Sequence, residues 1–360
     1  MNLQPPKISS SRLTSGPSNT SLDAPPCPQN GFPVMAITGA ALRPAVRAIP
    51  AGWYQWLFLA ATAWLVGGAY LDNWAHAHIA TLDTFFTPWH GVLYSGFAAS
   101  AAVLGARWLR ERSLPAGYGL SLAGCALFMV GGLGDMLWHR FFGIERQLAA
   151  VLSPTHLWLI ISGGLIITGT VRAARAGTDR RAPAVAVFGA AVVFCYLGVT
   201  TEFAQPYLDR VAASIYRGAI PYNQAIQIGL FGVMLQSALL VGLVSKLRER
   251  FELPFGSLTV IVGLQAFMIV TAARAIDFMV LVAVLGGLAG DMWLLMLRQR
   301  PGAFAFALPA TLYAIYILSL LLVYGTWWEV HAVTGIVGAA GLTGWLVSLV
   351  MRRPTLEAAS

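Results

Sequence analysis

Apolar runs of about twenty residues recur along this chain, and charges fall almost only between them. A helix needs roughly 20 predominantly apolar residues to cross the hydrocarbon core of a bilayer. After residue 50, ten such runs can be counted, at 53–74, 89–108, 117–138, 154–172, 183–201, 224–245, 255–272, 276–297, 304–325 and 331–350. The break between the seventh and eighth rests on Arg274 and Asp277 alone. Only 11% of the 360 residues are charged, against about 25% in a soluble domain. A soluble fold would lack the polar groups to cover its own surface. The predicted fold class is therefore all-α: a polytopic transmembrane helix bundle of ten spans in five outward-opening hairpins.

Residues 1–50 are rich in Ser, Pro and Asn and contain no secretory apolar region. They read as a disordered cytoplasmic tail, with Met35 as a second candidate start. Residues 51–353 read as a single transmembrane domain and 354–360 as a short cytoplasmic tail. The net charge of +8 would suggest nucleic-acid binding in a soluble protein. Here its distribution carries another meaning. The tail, the loops at 107–112, 172–181, 246–250 and 298–300, and Arg352 and Arg353 hold 18 of the 23 basic residues. By the positive-inside rule these are cytoplasmic. Both termini are then predicted cytoplasmic in a cell inner or plasma membrane, with the bilayer as the principal partner and no nucleic acid. Trp74, Trp89, Trp138, Trp158, Trp327 and Trp328 fall near the outer boundary, where an aromatic belt belongs.

Cys27, Cys125 and Cys195 are far apart and form no CxxC pair. The six histidines are more informative: His76, His78, His90, His139, His156 and His331 all fall at predicted outer helix ends. The first hairpin contains Asp72-x3-His76, then Thr87-Pro88-Trp89-His90. The second contains Asp135-x3-His139, then Ser153-Pro154-Thr155-His156. A spacing of four puts Asp and His on one helix face. Ser or Thr before Pro is a helix start, the hydroxyl capping and Pro at the first helical position. Each hairpin so offers one carboxylate and two imidazoles from adjacent helix ends. That is a three-ligand set for a first-row transition metal with open positions for water or substrate. Nitrogen and oxygen ligands without thiolate fit copper, zinc or iron.

Interfacial His and Asp also serve simply as headgroup contacts, and a proton relay uses the same residue types. His78, two residues past His76, faces elsewhere on the helix and suits a headgroup or a second ion. Asp83 and Glu145 in the outer loops are candidates to orient ligand imidazoles, as they are for plain solvation. Glu202, with Gln205, and Glu329, with His331, could line the same outer cavity. Arg274 with Asp277, and Asp291 with Arg298, read as local ion pairs. GGLGDM at 131–136 resembles GGLAGDM at 286–292, which reads as chance similarity among small residues. Gly335, Gly338, Gly341 and Gly344 recur every three residues and predict a close helix contact.

Over residues 70–160 the tandem sets resemble those of the C subunit of the copper-dependent membrane monooxygenases, the particulate methane and ammonia monooxygenases. That subunit carries two such sets at the outer ends of membrane helices. Here they are Asp72-x3-His76-x13-His90 and Asp135-x3-His139-x16-His156. The intervening loops are slightly longer, and the second set opens with Asp where that subunit has Asn. The resemblance implies that Asp72, His76 and His90 form one metal site and Asp135, His139 and His156 another. It implies a copper-dependent oxidoreductase acting on a small apolar substrate. No CxxCH haem attachment is present, so such an enzyme would need an electron donor or partner subunits.

Three other classes stand beside this one. A zinc-dependent membrane hydrolase would use the same ligands to generate hydroxide, although no GxSxG is present. A metal-handling protein without catalysis would need only the sites. Bis-histidine haem binding is the third, and an Asp one turn from each His suits it less well.

Overall fold

The computed structural model describes residues 51–79, 85–143, 148–178, 180–273 and 277–351. The tail before residue 51, the segment after residue 351, Asp83, Glu145 and Arg274 lie outside the described residues. The described chain is all-α, and its β pairings are isolated bridges. In chain order the helices are α1 (Ala51–His78), α2 (Pro88–Glu111), α3 (Gly119–Phe142), α4 (Leu148–Leu152), α5 (Pro154–Ile167), α6 (Gly169–Ala176), α7 (Ala184–Thr200), α8 (Tyr222–Arg248), α9 (Ser257–Ala273), α10 (Met279–Met296), α11 (Pro301–Tyr324) and α12 (Val330–Met351). Short 3-10 turns at Glu202–Ala204 and Ser214–Tyr216 shape the connection from α7 to α8.

Seven helices are long and apolar enough to cross a membrane: α2, α3, α5 with α6 as one rod, α8, α10, α11 and α12. The other three predicted runs are helical too. α7 and α9 have 17 residues each. α1 is long, with 28 residues, but carries Asp72, Asn73, His76 and His78 in its last two turns.

α1 packs along α2, and α3 along α5. The first pair is drawn together by glycine. A Cβ on Gly68 would fall 2.6 Å from the Leu93 Cα, and one on Gly96 would fall 2.5 Å from the Leu65 backbone nitrogen. Backbones this close need residues without side chains. The approach sets the end of α1 beside the start of α2. The seam between the hairpins is different, because α2 and α3 touch only sparsely.

Several polar residues take structural roles that differ from the expectations above. Asp291, on α10, accepts the backbone N–H groups of Leu258 (2.9 Å) and Thr259 (3.0 Å) and the Thr259 hydroxyl (2.6 Å). It therefore caps α9 from a neighbouring helix, and Arg298 pairs instead with Glu252. Asp277 pairs with Arg210, from the α7–α8 connection. Trp328 is only 5% exposed, and the Trp327 indole donates to the Val211 carbonyl. The Trp327 ring thereby ties the start of α12 to the α7–α8 connection. In the glycine stripe of α12, only the later half makes the close contact. A Cβ on Gly341 would meet the Phe306 ring and one on Gly344 the Ala305 carbonyl, while Gly335 and Gly338 face open space.

Candidate metal centre

Thr87 and Ser153 are extended residues that cap α2 and α5. Their hydroxyls accept the backbone N–H of His90 (3.2 Å) and His156 (3.3 Å). Pro follows each cap at the first helical position, where its missing N–H costs nothing. The cap geometry fixes where each histidine leaves the helix. His90 then meets the end of α1, and His156 the end of α3.

Two trios result. In the first, the Asp72 Oδ2 lies 3.5 Å from the His90 Nε2 and 3.7 Å from the His76 Nε2. In the second, the Asp135 Oδ2 lies 3.5 Å from the His139 Nε2, and its Oδ1 lies 3.7 Å from the His156 Nε2. Within each trio one ligand atom per residue lies within 4.8 Å of the others. Two ligands bound at 2.0–2.2 Å to a tetrahedral or trigonal ion stand roughly 3.3–3.8 Å apart. The carboxylate–imidazole separations fall in that interval.

The outer partners of the rings strengthen the point. The His139 Nδ1 lies 3.1 Å from the Gly143 carbonyl. A carbonyl only accepts, so this nitrogen carries the proton. In the neutral ring the Nε2 lone pair is then bare and faces a carboxylate oxygen. A second ring proton or a bound metal cation joins the two, and the separation suits either. The other capped rings are held similarly, with the His90 Nδ1 3.1 Å from the Thr87 hydroxyl and the His156 Nδ1 2.6 Å from the Ser153 hydroxyl. Metal-bound histidines typically engage the far nitrogen in this way, which fixes tautomer and ring orientation.

The carboxylates differ. Asp135 is 1% exposed and accepts the Thr155 hydroxyl at 2.8 Å. The Asp72 Oδ1 is buried and has no hydrogen-bond partner among the described residues. The trios are also near each other. The Phe85 ring stacks on His90 at 5.0 Å between centroids and stands 6.3 Å from His139. One phenyl ring thus touches an imidazole of each site.

The remaining candidates fall outside the trios. His78 bonds the Trp74 carbonyl (2.8 Å) and stacks on the Trp74 ring. Glu329 and His331 pair with each other at 3.3 Å on the exposed start of α12. Glu202 reaches the neighbourhood indirectly, accepting from the Asn73 amide next to Asp72. Burial raises its carboxyl above the ordinary value, the Asn73 bond opposes this, and nearby Asp209 adds to it. Gln205 is buried, its amide nitrogen 3.5 Å from the Gly198 carbonyl. Phe85 and Thr155 were not singled out by their residue types. A phenylalanine before a capping Thr, or a Thr after Ser-Pro, carries no signal until the helices are placed. No family model matches the chain, and no characterised protein or solved structure matches it.

Proposed function

We propose that this protein is an integral membrane metalloprotein holding two transition-metal ions, one in Asp72/His76/His90 and one in Asp135/His139/His156. The observation that carries the reading is the facing of carboxylate oxygens and imidazole Nε2 atoms at 3.5–3.7 Å in both trios. Copper is the preferred ion. Imidazole and carboxylate ligands without thiolate accept copper, zinc and iron, and first-row affinities peak at copper. Three protein ligands leave open positions, as reactive metal sites do. The corresponding activity is a copper-type oxidoreductase fed by a separate electron donor. The excess of Lys and Arg in alternate loops supports a ten-span reading with both termini cytoplasmic and the two sites extracytoplasmic.

Metal analysis of the full-length protein purified in mild detergent tests the reading. Two equivalents of copper are expected, with a copper paramagnetic resonance signal in the oxidised protein. His76→Ala and His139→Ala should each remove one equivalent and leave the other. Unchanged metal content in both variants overturns the site assignment. Stoichiometric zinc without a redox signal converts the reading to a zinc hydrolase. A reporter fused after Ser360 should read cytoplasmic.

A further inference from the structure

The loose seam between α2 and α3 forms an open-sided cavity of about 640 Å³. Ligand pockets typically span ~300–1,000 Å³, so one modest organic molecule fits. On its outer side stand Phe86, Met129 and Leu133, which are 81%, 54% and 56% exposed. α2 and α3 are both among the helices long and apolar enough to cross a membrane, and in a spanning α3 the exposed Met129 and Leu133 would meet hydrocarbon. What reaches the cavity by this route is dissolved in the bilayer and uncharged.

The inner wall says more. Apart from Thr87, His90 and Tyr94 the lining is apolar. The Thr87 hydroxyl is engaged by the backbone and ring of His90, and the His90 Nε2 is directed at Asp72. The Tyr94 hydroxyl is different. It makes no hydrogen bond among the described residues and is not sealed from the surroundings. It lies over Gly132, where a Cβ would come 3.0 Å from the phenolic oxygen. Tyr94 therefore spans the seam from α2 to the face of α3 one turn below Asp135. Its ring is 5.8 Å from Phe85, the ring that covers His90. A phenol among otherwise apolar lining residues offers an occupant one hydrogen-bond partner.

We propose that the α2–α3 cavity binds one membrane-dissolved molecule with a hydrocarbon body and a single oxygen function, which hydrogen-bonds the Tyr94 hydroxyl and lies against Phe85. The chemical class is a long-chain alcohol or a neutral carbonyl compound. This goes beyond metal binding, because the cavity and its phenol need no ion.

The probe is decanol carrying a mid-chain diazirine, photolysed with the full-length protein in lipid nanodiscs and located by peptide mass spectrometry. Saturable labelling of the α2 and α3 segments around Tyr94, Met129 and Leu133 is expected. Unlabelled decanol should compete about three- to tenfold better than decane, the worth of one hydrogen bond. Gly91→Phe places a ring in the cavity, since a Cβ there meets nothing within 4 Å, and should abolish the saturable labelling. Gly105→Phe, on the same helix and also facing open space, should leave it intact. Tyr94→Phe should make decanol and decane compete equally. Unsaturable labelling spread over lipid-facing helices, or full labelling in Gly91→Phe, overturns the site. A persistent decanol advantage in Tyr94→Phe overturns the hydrogen bond. The same measurements on chelator-treated protein separate failure of this inference from failure of the metal reading.

Discussion

Two segments of nearly the same sequence, GGLGDM at 131–136 and GGLAGDM at 286–292, put their aspartates to opposite uses. Both Asp135 and Asp291 are buried, and each accepts the hydroxyl of a Thr in the first turn of an adjacent helix. At Asp291 the remaining capacity is taken by two backbone N–H groups, which satisfy the orphan donors of the α9 start. At Asp135 the α5 start is already capped by Ser153. Its other oxygen faces His139, and Thr155 leaves room for His156. One carboxylate is spent on the fold, and the other faces two imidazoles in a group that could hold a metal ion. Burial and sequence context do not separate the two. The difference lies in what donors the neighbouring helix has left unsatisfied.

The contrast can be broken most forcefully at Asp291. Asp291→Ala leaves donors of the α9 start buried without an acceptor. A loss on the order of 3 kcal/mol or more is expected, read as a large fall in thermal midpoint in detergent, with metal content per folded molecule unchanged. Asp135→Ala should do the reverse, removing the second metal equivalent while destabilising the metal-free protein by only about 1 kcal/mol. A fall in stability for Asp135→Ala equal to that for Asp291→Ala would erase the distinction.

Thr155→Val sharpens the comparison at smaller scale. The Asp135 ligand loses its orienting hydroxyl and metal affinity should fall about tenfold, measured by competition with a chromogenic chelator. Occupancy of both sites should also decline as pH falls through the imidazole range, because the ligand nitrogens must be unprotonated.

The smallest effect is expected at Asp209, a carboxylate outside the helices. Burial pushes its carboxyl up to about 6, against the lesser pull of the Gln205 backbone. A carboxyl raised in the folded state binds its proton more tightly there than in the unfolded chain. Its ionisation therefore costs stability as pH rises from about 4 to above 6. Asp209→Asn should stabilise the protein modestly at pH 7 and have little effect near pH 4. A stability gain independent of pH would show that ionisation is not the cause.

What could be read from the sequence follows the range of the interactions. Asp-x3-His and Ser/Thr-Pro-x-His are local statements, since one helical turn and one cap fix them. The positions of Asp72, His76, His90, Asp135, His139 and His156 were legible for that reason. Apolar run lengths likewise announced the helices. The cap that Asp291 supplies to α9, the Arg210–Asp277 pair and the burial of Trp328 join segments far apart in the chain, and no local spacing encodes them. Phe85, Tyr94 and the cavity they line with α3 were invisible for the same reason. They exist because glycines tie α1 to α2 closely while α2 and α3 stay apart.

The unpartnered Oδ1 of Asp72 has a consequence for how the chain fares in a cell. A buried carboxylate oxygen without a donor costs about 1–3 kcal/mol, and a bound cation with its water is the direct remedy. If the first site binds metal as proposed, the empty protein would be measurably less stable than the loaded one. At a free metal concentration a hundred times Kd, loading would add about 2.7 kcal/mol to folding. Differences of this size change abundance when membrane proteins are triaged by proteases. Metal shortage would then register as fewer molecules in the membrane, with each surviving copy filled.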